Sequence, residues 1–166
     1  DLPAFNARCQ EAGLAAVVFW SGHAEQYAAT YLKIAAAKGS LTLAEAFFRG
    51  VLCNLLVCMA VWMTLAGRSV TDKFIAIVFP ISAFVAAGFE HSIANMYFFP
   101  IAMLIQAGAP ASFWEAIHAS SSDYAGLTWS AFLWANLLPV TLGNVIGGAV
   151  LVGGVYWLVY LRGAAR

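Results

Sequence analysis

Residues 74–105 form an apolar stretch that a single ordinary membrane helix does not accommodate. As one continuous helix it would measure about 48 Å at 1.5 Å per residue, against a hydrocarbon layer of about 30 Å. Its middle reads Ala87-Gly88-Phe89-Glu90-His91-Ser92, with Pro80 before it and Pro100 after it. A glycine and three polar side chains at that depth predict two half-helices meeting inside the membrane. Non-helical backbone is tolerated there only where it is buried in protein or lines a cavity. Glu90 and His91 are adjacent, so they point to different sides of any helix. A centrally placed charge costs roughly 2.5–3.5 kcal/mol on insertion scales, so each needs a reason to be there. Glu90 is expected to accept hydrogen bonds from backbone N–H groups freed at the break. His91 is expected to face a pore and carry or donate protons, since an ordinary imidazole titrates near neutrality. The plainer reading is that both only stabilise the kink.

Composition agrees with a membrane-embedded helical protein. Hydrophobic types make up 63% of the 166 residues and charged types 10%, against about 25% charged in soluble domains. That excludes a water-soluble enzyme of ordinary kind, and it excludes intrinsic disorder. Eight Lys+Arg balance eight Asp+Glu, which leaves no basic excess for a nucleic-acid partner. Cys9, Cys53 and Cys58 are odd in number and form no CxxC, so they read as small apolar side chains. No cofactor or metal is expected. His23 and His118 fall in connections, which leaves one membrane histidine and argues against haem. The opening DLPAFNARCQE lacks an initiator Met and a basic segment ahead of an apolar core, so no cleavable signal peptide is expected.

Elsewhere the chain reads as follows. Residues 12–20 are apolar but too short to span and are taken as the outer part of a spanning helix or as a poorly formed one. Residues 21–42 are expected to be a water-exposed connection with a short surface helix. The first strong span is 43–66, where Thr42 and Glu45 have capping-box spacing. Arg49 lies inside it, with a stem long enough to reach toward the interface. Ser69 and Asp72 in the 67–73 loop repeat the capping spacing. Residues 106–128 form a polar loop without Lys or Arg. In 129–161, Pro139 is expected to kink the helix or to divide a surface helix from the span. The part after it is about 33 Å long, one crossing. Gly143-x-x-x-Gly147 and Ala149-x-x-x-Gly153 are patterns that admit a neighbouring helix closely. Tyr156, Trp157 and Tyr160 suit the membrane interface. Placing Arg8, Arg68, Lys73, Arg162 and Arg166 in the cytoplasm, with Lys33 and Lys38 outside, puts both ends inside after four crossings.

Polar groups inside the spans are the candidate site residues. Asn54, in the middle of 43–66, needs partners, and His91 on a neighbouring helix is a natural one. Asn95 lies one turn after His91. Asn144, at mid-depth in the last helix, is expected to pack against another helix or subunit. A half-helix beginning near Ser92 points a partly positive N-terminus into the membrane and favours anions. Val57, Phe84 and Phe89 suit apolar constrictions or plain helix packing.

Four segments, Arg49-Gly50-Val51-Leu52-Cys53-Asn54-Leu55-Leu56-Val57-Cys58, Ala60-Val61-Trp62-Met63, Phe84-Val85-Ala86-Ala87-Gly88-Phe89-Glu90-His91-Ser92-Ile93-Ala94-Asn95-Met96 and Pro139-Val140-Thr141-Leu142-Gly143-Asn144-Val145-Ile146-Gly147-Gly148, closely resemble the formate/nitrite transporter family. The resemblance runs from about residue 38 to 162 and is nearer the formate channels than the nitrite or hydrosulfide branches. It implies an all-α transmembrane, aquaporin-like inverted-repeat fold of six helices, assembled as a homopentamer in the inner (plasma) membrane, with a pore in each protomer. Residues 1–166 then form part of one such domain. Residues 1–42 supply a partial third helix and outer loop, and 43–166 supply helices four to six, with helix five broken. By the same resemblance His91 sits mid-pore and contacts Asn54, Lys38 lies at the outer vestibule, and Val57 and Phe84 occupy constrictions. Gly88, Glu90, Ser92 and Asn95 support the broken helix. The Gly-Asn-Leu pattern of the family's third helix is missing from residues 1–20.

The expected function is passage of a small monovalent anion such as formate or nitrite, passive or proton-coupled, through a lipid bilayer and not catalysis. Protonation at or near His91 would turn a weak-acid anion into a neutral molecule that crosses an apolar constriction more cheaply. Half a pore is expected not to transport alone. A neutral small-solute channel would carry paired Asn-Pro-Ala boxes, and a hydrolase HExxH or Gly-x-Ser-Gly; neither set occurs. A non-transporting membrane fragment is the remaining alternative.

Overall fold

The computed structural model describes residues 24–162. The expectations for residues 12–20, His23, Cys9, Arg8 and Arg166 lie outside them. The described residues contain helices and turns and no strand. In chain order, α1 is Ala24–Gly39, α2 Leu43–Thr64, α3 Val70–Ala86, α4 Ser92–Gly108 and α5 Ala111–Ala116. A short 3-10 turn, Ser121–Tyr124, precedes a last long helix, α6, Ala131–Leu161. Two of these, α2 and α6, are long and apolar enough to cross a membrane.

The chain falls into two compact units. One holds α1 and residues 95–133. Residues 21–42 were expected to be a water-exposed connection with a short surface helix; the helix is sixteen residues long, fills most of the segment and has a buried face. Its buried residues are Ala28, Ala29, Leu32 and Ala35. Three of these recur at helical spacing and make one packed face, which the polar residues of the other face hide in the sequence. Tyr31 of this helix meets Tyr97 of α4, hydroxyl to hydroxyl at 3.2 Å. Phe99 stacks on Phe132 with ring centroids 4.9 Å apart. The polar loop 106–128 is likewise built, not slack. Gln106 Nε2 donates to the Tyr124 and Ser121 carbonyls at 2.9 and 3.3 Å.

The other unit holds residues 42–94 and α6 from Trp134 on. Both capping boxes form. Thr42 Oγ1 accepts from the Glu45 N–H while the Glu45 carboxylate takes the Thr42 N–H, and Ser69 and Asp72 do the same for α3. The core of this unit is a glycine seam between α2 and α6. A Cβ on Gly143 would collide with the Phe47 carbonyl oxygen, and one on Gly147 with that of Val51. A Cβ on Gly148 would meet the Asn54 amide nitrogen at 2.7 Å and Cys58 Sγ at 2.8 Å. Helices in lipid gain no hydrophobic drive from meeting one another. They associate by van der Waals packing and short-range polar contact, which only small residues permit at this distance. Pro139 neither breaks α6 nor splits off a surface helix. The hydrogen bonding widens to i→i+5 over Ala131–Leu137 just before it, and the helix continues through it. The looser register accommodates the N–H that proline lacks. At the far end Trp62 packs edge-on against Tyr156 and Tyr160.

Candidate functional site: the break between α3 and α4

The helix is interrupted at the residues where the break was expected. α3 ends at Ala86, α4 begins at Ser92, and the intervening residues are not helical. Each polar backbone group exposed by such a break must find a partner, because hydrocarbon supplies none. α3 closes with a Schellman arrangement. The Gly88 N–H donates to Val85 O at 3.1 Å, the Phe89 N–H to Phe84 O at 3.1 Å, and Gly88 takes φ +65°. Glycine is the residue that enters this left-handed region without a Cβ penalty.

From Gly88 onward the partners come from α2 and α6. Arg49 Nη1 donates to the Gly88 carbonyl at 3.4 Å, and the Arg49 carbonyl accepts the Glu90 N–H at 3.4 Å. The guanidinium therefore meets the break, where the sequence had directed it toward the interface. Asn144 of α6 does the most. Its Nδ2 donates to the Gly50 carbonyl at 2.9 Å and to the Glu90 carbonyl at 3.0 Å, and its Oδ1 accepts the Ser92 N–H at 3.0 Å. One amide thus satisfies three backbone groups, one on α2, one in the turn and one at the start of α4, using both its hydrogens and one oxygen lone pair. Asn54 Nδ2 in turn donates to the Asn144 backbone carbonyl at 2.7 Å. Glu90 is 2% exposed and Asn144 6%.

His91 precedes the first residue of α4 and caps it. Its Nδ1 accepts the N–H of Ala94, the third residue of that helix, at 3.4 Å. A nitrogen that accepts carries a lone pair, so in this arrangement the ring hydrogen is on Nε2. The ring lies 6.4 Å, centroid to centroid, from that of Phe84 at the end of α3. Of the other expected site residues, Val57 is half-buried on α2 one turn after Asn54, and Ser92 is buried. Lys38, half-buried in the last turn of α1, and Asn95, fully buried in α4, belong to the other unit. Asn144 is the residue that sequence reasoning placed as a packing group and that the fold makes the hub. A lone amide between Gly143 and Gly147 was the available signal: the glycines mark where another backbone comes close enough to be bonded.

A sequence model described as formate/nitrite transporter matches residues 10–158. The chain belongs to the formate/nitrite transporter family. It is 51% identical over 121 residues to formate channel FocB of Escherichia coli K12, covering 73% of this chain and 43% of that protein. It is 46% identical over 137 residues to formate channel FocA of the same organism, covering 82% and 48%. A solved structure described as a pentameric formate channel with formate bound superimposes with TM-score 0.81 at 43% identity, over 95% of this chain and 61% of that one. This formate/nitrite transporter family chain therefore spans about half the length of the curated relatives it matches. Its helical fold is that of a membrane protein.

Proposed function

We propose that this segment forms half of a channel or transporter for small monovalent anions, formate or nitrite in the first place, within a multi-pass protein of the inner (plasma) membrane. In this reading residues 43–166 are helices four to six of an aquaporin-like inverted repeat, and five copies assemble with one pore each. His91 faces the path, Asn54 and Asn144 hold its surroundings, Lys38 draws anions to the outer vestibule, and Val57 and Phe84 narrow the way. The observation that carries it is the break itself: a polar segment with Glu90 and Ser92 buried and an imidazole between them, whose described backbone bonds are met from within the unit. Such a segment is costly in lipid and is kept where it lines a path.

His91 presents Nε2–H while Nδ1 is engaged in the cap. A proton added to Nδ1 removes that acceptor and frees the Ala94 N–H, so the charge state of the ring and the start of α4 are linked. In the same reading this couples anion passage to protons. The test is formate and nitrite flux into liposomes holding a full-length protein that carries this segment, with and without His91→Ala. The expected result is a changed pH dependence and selectivity; an unchanged profile rejects the role of His91.

A further inference from the structure

The break brings two helix ends of opposite sign together. The start of α4 is the partly positive end of its dipole and the end of α3 the partly negative one, each worth about half an elementary charge. For an anion passing there, the two largely offset each other. The carbonyls of Ala83, Phe84 and Val85 accept from Ala87, Phe89 and Gly88. The carbonyl of Gly88 takes the guanidinium of Arg49 at 3.4 Å. A Cβ placed on Gly88 would sit 3.9 Å from the same Nη1 atom, so the charge lies directly over the turn. Arg49 is half-buried, and a guanidinium is a permanently charged group.

We propose that Arg49 is a selectivity-determining residue that acts through this contact. Its fixed charge offsets the negative end of α3, so that the positive end of α4, capped by the neutral Asn144 amide oxygen and the His91 ring nitrogen, makes the path at the break attract anions. A purely structural arginine would serve the bend by hydrogen bonding alone. The charge role differs because it acts at a distance on the permeating ion, in surroundings where screening is weak. The inference rests on the function proposed above.

The test is initial formate flux against formate concentration, in liposomes holding a full-length protein that carries this segment. Arg49→Gln is expected to raise the half-saturating concentration about tenfold, about 1.4 kcal/mol, with maximal flux within twofold. Arg49→Lys is expected to keep both within twofold. An unchanged half-saturating concentration in Arg49→Gln, or a fall in maximal flux alone, overturns the proposal. Should Arg49→Gln not assemble like wild type on size exclusion, Arg49→Lys decides, because it keeps the charge and loses the planar fork. A retained half-saturating concentration then supports the charge role and a tenfold rise overturns it. A wild-type protein that passes neither formate nor nitrite instead refutes the proposed function, and this inference with it.

Discussion

The side-chain amide of Asn144 donates to the Glu90 carbonyl at 3.0 Å across 54 residues of sequence. Through that bond, and those to Gly50 and Ser92, α6 holds the turn between α3 and α4 in place. Replacing Asn144 by Ala leaves two carbonyls and one N–H without this partner. At about 1 kcal/mol per bond in a membrane setting, the full-length protein should lose about 2–4 kcal/mol. Asn144→Asp keeps an acceptor for Ser92 but turns a carboxylate toward two carbonyl oxygens, and should be no better than Ala. Thermal unfolding in detergent, followed by size exclusion, measures both. A melting temperature within a degree or two of wild type would contradict the hub role.

Gly147 faces the Val51 backbone without room for a methyl group. Gly147→Ala must push α6 away from α2, and Gly147→Leu more so. The expected outcome is loss of stability by about 1–3 kcal/mol for Ala and failure of assembly for Leu. Gly154, whose Cβ would meet nothing within 4 Å, is the control, and Gly154→Ala should be tolerated. Yield of folded protein after extraction separates the two positions.

The cap made by His91 fixes which ring nitrogen holds hydrogen. Nitrogen-15 spectra of the full-length protein, labelled at histidine, should show His91 as the neutral Nε2–H form near neutral pH. A Nδ1–H form would show that the Ala94 bond is absent.

Asp72 gives a pH dependence whose sign follows from geometry. Its carboxylate accepts the N–H groups of Ser69 and Arg68 at 3.0 and 3.1 Å ahead of the apolar run. The bonds from the Ser69 backbone and side chain hold its pKa below the ordinary aspartate value. The folded value is therefore the lower one. The contribution to stability is present above the unfolded value, near 3.9, and is lost as pH falls through the folded value. Asp72→Asn should lower the melting temperature by a constant amount above pH 6 and flatten the acid limb, so that the two curves converge as pH falls.

Much of this arrangement was legible in residue order. The capping spacings of Thr42 with Glu45 and Ser69 with Asp72 rest on contacts three residues apart, so the sequence contains both partners. The break was legible because its cost is local: Gly88, Glu90 and His91 have no business in an unbroken apolar helix. Its fastening was not. Arg49 and Asn144 bond to backbone groups that become available only once the turn exists, so no spacing in the sequence pairs them with it. The same reason hid the packed face of α1, where alanines say little until a neighbour lies against them. The bonds to the Glu90 N–H and carbonyl were not legible either, because their partners lie on α2 and α6.

The Ser92 N–H and the oxygen that receives it lie 52 residues apart. A ribosome moving from one end of the chain to the other makes the donor first and the acceptor much later. The turn thus cannot be sealed while α3 and α4 are emerging, and its last bonds must wait for α6 to be translated and laid against α2. Completion of the bend, by this order of manufacture, comes after the synthesis of α6 and not with that of the helices it joins.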